Sequence, residues 1–211
     1  MSIDLLLAAV LLINFLLVAT GRAVQLVRRV AIQGVILGLI LLLLHDDWHL
    51  HVLLMAVSTV AIKGAVIPWL LAHALSRTKE AARPRPYVSY TLSLVLLAGS
   101  TFLAFLLARR LPLQVGTLGT LFIPASLATL FTGFLLLITR RRALLQVVGY
   151  LVLENGVFLF SLLLVKNMPL LVETGVLLDL VVGIFIMAIV INHLQQAFDS
   201  QDTKRMSHLK E

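Results

Sequence analysis

The sequence predicts an all-α membrane protein of about seven transmembrane helices, its N-terminus outside and its C-terminus cytoplasmic. Three observations predict it. Of 211 residues, 60% are hydrophobic and 13% charged, against about 25% charged in an ordinary soluble domain. So few charges cannot cover a compact globule with a polar surface. The apolar residues fall in blocks close to the ~20 residues an α-helix needs to cross a bilayer. The Lys and Arg residues cluster in the short breaks between blocks and divide unevenly between the two sides.

The first span covers 2–20. Its opening Met1-Ser2-Ile3-Asp4 lacks the basic start and small-residue cleavage site of a signal peptide, so it is expected to be retained. The second covers 23–44, with Arg28 and Arg29 in its first turns placed to snorkel to the interface. The third covers 50–76 and holds Pro68, which can free a backbone carbonyl and bend the helix. The fourth, 87–107, follows the breaker Arg83-Pro84-Arg85-Pro86. The fifth and sixth cover 117–139 and 143–165. The seventh covers 169–194 and opens on Pro169, suited to a first helical turn. A polar tail follows.

Seven spans put Arg22, Arg28, Arg29, Arg77, Lys79, Arg83, Arg85, Arg140, Arg141, Arg142, Lys204, Arg205 and Lys210 on one side. Only Arg109, Arg110 and Lys166 lie on the other, and Lys63 lies within the membrane. The richer side is assigned to the cytoplasm, and a missed or invented helix would scramble this alternation. The same topology accounts for the net charge of +7, so membrane lipid, not nucleic acid, is the expected surroundings. The absence of cysteine excludes disulfides, iron–sulfur ligation and CxxC metal sites in this chain. His45, Asp46, Asp47, His49 and His51 resemble a metal cluster, but with Trp48 they read better as an interfacial turn, so no metal is expected. No nucleotide motif, nucleophile–base pair or His pair at helical spacing points to an active site.

Four acidic or basic residues stand inside predicted spans. A charge near a helix centre costs roughly 2.5–3.5 kcal/mol on insertion scales, so such residues usually face a bundle interior or a wet cavity. Lys63 is mid-way along the third span, and Glu154 is mid-way along the sixth, beside Asn155 with Gln146 on the same helix. Asp179 is mid-way along the seventh, four residues before Gly183, and Glu173 is about one turn in from that helix's outer end. Lys63 paired with Glu154 or Asp179 fits a structural clasp. It also fits proton handling, because moving the Lys charge changes how firmly a neighbouring carboxylate holds its proton. His73 and His193, near cytoplasmic helix ends, read as interfacial residues.

The run from Arg141 through Gly149-Tyr150 to Glu154-Asn155-Gly156, followed by Leu171-Val172-Glu173-Thr174-Gly175 and Asp179, resembles the hydrogenase-4 component E family of membrane proteins. Length and seven-span layout fit as well. The last three spans also resemble the K (4L) subunit of respiratory complex I, which carries one buried Glu in each of its last two helices. Here Leu151 stands where that subunit's middle-helix Glu comes, with Glu154 three residues on, and Asp179 replaces the last-helix Glu. The resemblance divides the chain into a four-helix block (1–108), a three-helix K-like block (109–196) and a polar cytoplasmic tail (197–211).

It implies a non-redox subunit of a group-4 [NiFe]-hydrogenase or formate-hydrogenlyase-like assembly in a prokaryotic cytoplasmic membrane. Glu154, Asp179 and Lys63 would serve a proton path, with Glu173 an outward-side contact or exit residue. The chain itself would hold no cofactor; partner subunits would carry iron–sulfur and Ni–Fe centres. The partners would be antiporter-like membrane subunits and a hydrogenase-like or complex I-like peripheral module. A purely structural connector and a stand-alone cation transporter are the alternatives, and carboxylates with a Lys suit H⁺ better than they exclude Na⁺.

Overall fold

The computed structural model describes residues 3–44, 50–77, 87–111, 120–141 and 143–164, and these are helical with no strand among them. The order is α1 (Ile3–Ala19), α2 (Ala23–Leu44), α3 (Leu50–Thr59), a π-helical segment (Val60–Val66), α4 (Ile67–Arg77), α5 (Tyr90–Arg110), α6 (Phe122–Thr139) and α7 (Ala143–Leu164). The segment from α3 to α4 is one continuous rod filling the third predicted span. Five described stretches are long and apolar enough to cross a membrane, and α1 is a shorter apolar helix. The chain is a multi-pass helical membrane protein. The expected seventh helix, with Glu173, Asp179 and His193, lies outside the described residues, as do the tail and the loop 45–49.

Two boundaries differ from the sequence expectation for local reasons. α5 begins at Tyr90, not 87, because Ser89 caps it: the Leu92 N–H donates to Ser89 Oγ at 3.3 Å. It runs on to Arg110, where extended Leu111 ends it. α6 begins at Phe122, not 117, with a turn at 120–121 before it. Pro124 then falls in the first turn, where its missing N–H has no helical partner to lose.

The third rod departs from α-helix where Pro68 demands it. Pro68 offers no N–H, and its ring would press on the carbonyl four residues back. The turn ahead of it is widened instead. The Ile67 N–H donates to Ile62 O, five residues earlier. The expected bend is replaced by a π segment centred on Lys63.

Lipid tails are as apolar as leucine, so helices associate through close packing and polar contacts, with small residues at the seams. α6 and α7 meet on three glycines. A Cβ on Gly133 would stand 2.3 Å from Leu153 N, one on Gly149 2.9 Å from Leu137 N, and one on Gly156 2.5 Å from Leu130 N. Gly34 and Gly38, one turn apart on α2, admit the π segment: their Cβ atoms would meet Lys63 Cβ at 2.8 Å and Val60 Cγ2 at 2.2 Å. By contrast α5 buries only the stripe Ser93, Leu97 and Ala104.

The core forms two apolar clusters. One includes Leu17, Val27, Ile67, Leu71, Leu136, Leu145 and Val152; the other includes Val10, Leu37, Ile40, Ala56, Phe122, Phe158 and Leu159. Lys63, Glu154, Asn155, Gln33, Asn14 and Thr129, all buried, fall between these two sets in sequence along their helices. A polar layer therefore separates two apolar ones near mid-helix.

One end is tied by Arg140, 2% exposed. Its Nη2 donates to Val18 O at 3.0 Å and Thr20 O at 3.3 Å, reaching the carbonyls that end α1. A cation suits the negative end of a helix dipole. Its guanidinium lies 5.1 Å from the Tyr90 ring centroid, its own carbonyl accepts from Gln146 Nε2 at 3.1 Å, and the Tyr87 N–H donates to Thr139 O at 3.0 Å. Burial pushes the guanidinium below its ordinary value and Tyr90 partly restores it; arginine remains charged regardless. The end of α1, the start of α5 and the end of α6 thus lie together, as the counted alternation of basic clusters requires. Arg140→Gln is expected to cost about 3 kcal/mol by leaving buried carbonyls without a charged donor, measured as a lowered unfolding midpoint in detergent.

Candidate proton-handling site

The third rod, α7 and α2 bring the site together. Lys63 points from the π segment into the bundle and is 5% exposed. α7 supplies Glu154 and Asn155 side by side: Lys63 Nζ is 3.5 Å from Glu154 Oε1 and donates to Asn155 Oδ1 at 3.3 Å. The ammonium also lies 5.0 Å from the Phe158 ring centroid, where the negative ring face favours a cation. The sequence offered Glu154 or Asp179 as partners for Lys63, and the described residues show the pairing with Glu154.

The contact is an ion pair without an aligned donor: among the described residues, Glu154 Oε1 is buried and receives no hydrogen bond. Asp4, at the start of α1, and Glu154 are the two acids among the described residues. Such a pair holds two opposite charges in a medium where each is expensive alone. It can also exist as an amine and a carboxylic acid, related by one proton crossing a gap of a few ångström.

From Lys63 a line of hydrogen bonds crosses the bundle. Asn155 Nδ2 donates to Gln33 Oε1 at 3.2 Å, Gln33 Nε2 to Asn14 Oδ1 at 3.1 Å, and Asn14 Nδ2 to Thr129 Oγ1 at 2.9 Å. Thr129 Oγ1 closes the line by donating to Ala125 O at 2.7 Å. The π segment, α7, α2, α1 and α6 are joined by it. Sequence reasoning found Lys63, Glu154 and Asn155 but not Asn14, Gln33 or Thr129, which are single polar residues in otherwise apolar stretches. The Gly34–Gly38 pair beside Gln33 was the available signal, since small residues at helical spacing mark a close seam.

Other polar candidates lie elsewhere. Gln146 serves the Arg140 knot. His73 is exposed and stacks on Trp69, centroids 5.8 Å apart. Arg29 reaches Leu16 O on α1 through Nη1, while Arg28 is exposed. No group of three or more His, Asp or Glu suited to a metal occurs among the described residues.

Over 190 residues, 88% of this chain and 85% of the relative, the sequence is 30% identical to the uncharacterized protein Rv0085 of Mycobacterium tuberculosis. Over 101 residues it is 28% identical to hydrogenase-4 component E of Escherichia coli, with the same values for that of Shigella flexneri. That second match spans 48% of this chain and 46% of the relative, about half of each. No family model matches the chain, and no solved structure matches it.

Proposed function

The chain belongs to the family of the uncharacterized Mycobacterium tuberculosis protein Rv0085, and from its half-length likeness to hydrogenase-4 component E we propose that it is a non-redox membrane subunit of a hydrogenase-like, complex I-related assembly that passes protons through its membrane arm. The observation that carries the reading is the buried Lys63–Glu154 pair at 3.5 Å. In the proposed step the N–H bond at Nζ breaks, leaving its electron pair on nitrogen as a neutral amine, and an O–H bond forms at Glu154. The reverse transfer reloads Lys63. Asp179 is proposed as the next acid in line and Glu173 as the outward-side residue. Water between helices would have to connect them, because separate side chains do not form a wire. H⁺ is the proposed ion.

The proposed topology has the Arg140 end facing the cytoplasm. The proposed partners are antiporter-like membrane subunits and a peripheral hydrogenase-like or complex I-like module holding iron–sulfur and Ni–Fe centres; this chain would hold none. The tight Gly-lined α6–α7 seam also suits the second reading, a connector whose charges stay paired.

Affinity purification of the tagged full chain from its own membranes is expected to bring down those partners. Recovery of the chain alone, or only with copies of itself, would sink the subunit reading. Glu154→Gln separates the two roles: the assembly is expected to form at the parent level while proton translocation per electron falls at least about tenfold, the usual scale for losing a proton-transfer group. Lost assembly instead would favour the connector.

A further inference from the structure

The hydrogen-bond line starting at Lys63 has only one possible direction, and the ammonium sets it. An ammonium has three donors and no acceptor. Asn155 must therefore offer Lys63 its oxygen, which leaves its NH₂ to face Gln33. Gln33 must receive that NH₂ with Oε1, and its own NH₂ then faces Asn14. Asn14 receives it with Oδ1 and presents NH₂ to Thr129, whose hydroxyl must accept and so donates to Ala125 O. Every amide in the line points its oxygen end toward the Lys63 charge. Amides in such a row polarise one another cooperatively. They are also very weak bases, so the line does not itself relay protons.

We propose that Asn155, Gln33, Asn14 and Thr129 are positioning residues that hold the Lys63 ammonium against Glu154, in a line whose direction is set by the Lys63 proton and transmitted to the contact between α1 and α6. The inference rests on Lys63 and Glu154 as the proton-exchanging pair. When Nζ gives its proton to Glu154, the amine gains a lone pair and can accept. Direction is then no longer imposed at the head, and the Lys63–Asn155 bond loses its charge assistance, which roughly halves its strength. The α1–α6 hydrogen bond, three links away, is the far reporter of that change. Around Lys63 the charged and titratable groups are few. α2 presents Gln33 and Gly34, α7 presents Glu154, Asn155 and Phe158, and on α4 His73 is exposed beside Trp69.

The test uses the intact assembly in vesicles, with infrared difference spectra taken across a pH titration and with proton translocation. In the parent protein, side-chain amide carbonyl bands are expected to shift in step with the appearance of the protonated Glu154 band, which Glu154→Gln removes. Thr129→Val keeps shape and removes the far acceptor; it is expected to alter the amide shift and to lower translocation about fivefold, the loss of one ordinary hydrogen bond. Thr129→Ser is expected to restore both. Amide bands that stay fixed while the Glu154 band titrates would overturn the line's role, as would parent-level translocation in Thr129→Val, and both leave the proton-exchanging pair standing. Should Thr129→Val fail to assemble, the parent spectra decide alone. Parent-level translocation in Glu154→Gln would instead overturn the function reading.

Discussion

Lys63→Met is expected to destabilise the folded chain by about 3–5 kcal/mol, because it leaves Glu154 as a buried charge without its counter-charge. Lys63 and Glu154 are 5% and 4% exposed, so water cannot compensate the loss. The carboxylate must remain uncompensated or bind a proton, and either has a cost. The cost should come mostly from the stranded partner, not from the lost attraction. Replacing both with apolar residues of similar volume, Lys63→Met with Glu154→Leu, is therefore expected to recover most of the stability. Unfolding in mixed detergent micelles measures all three variants. The proton-conducting reading adds a second expectation: the double variant assembles yet does not translocate. If stability and translocation both return, the pair serves only as a clasp.

Gly133→Val is expected to cost about 3 kcal/mol or more by overpacking the α6–α7 seam. The new Cβ would stand 2.3–2.5 Å from Leu153 N, Cα and Cβ, and backbone atoms cannot swing aside as the tip of a side chain can. The helices must separate, and with them go the Gly149 and Gly156 contacts on the same seam. Yield of monodisperse protein and the unfolding midpoint report the effect. Gly99→Ala is the control: a Cβ there meets nothing within 4 Å, and alanine favours helix over glycine by about 1 kcal/mol. That variant is expected to be neutral or slightly stabilising. Equal damage at both positions would mean that the seam is not what holds the pair.

The helices were legible because a run of apolar residues long enough to span lipid has few other uses. The second span, 23–44, coincides with α2 (Ala23–Leu44), where Gly21 and the charged turn end one helix and start the next. The fifth span differs at its start because Thr117 and Thr120 interrupt hydropathy only weakly, while Pro124 carries the better signal. Lys63 and Glu154 stood out because a full charge in an apolar block has to be explained. Asn14, Gln33 and Thr129 did not, since one amide or hydroxyl hardly changes a span's average hydropathy. Their meaning depends on five segments meeting at one depth, a tertiary fact with no local spacing to announce it. The π segment was half legible: Pro68 foretold a disturbed carbonyl, but not that the chain would answer by widening the turn.

In mechanical terms that widened turn is a dislocation in an otherwise regular lattice of hydrogen bonds. It stores one surplus residue, and Lys63 is inside it. Sliding the surplus past Lys63 would rotate that residue by about 100° about the helix axis and carry Nζ off Glu154 without unfolding either flanking helix. Gly34 bears on the Lys63 backbone at that point, where it pins the defect. The third rod is thus built as a ratchet with one tooth: held, it keeps the charges together; slipped, it parts them by rotation alone.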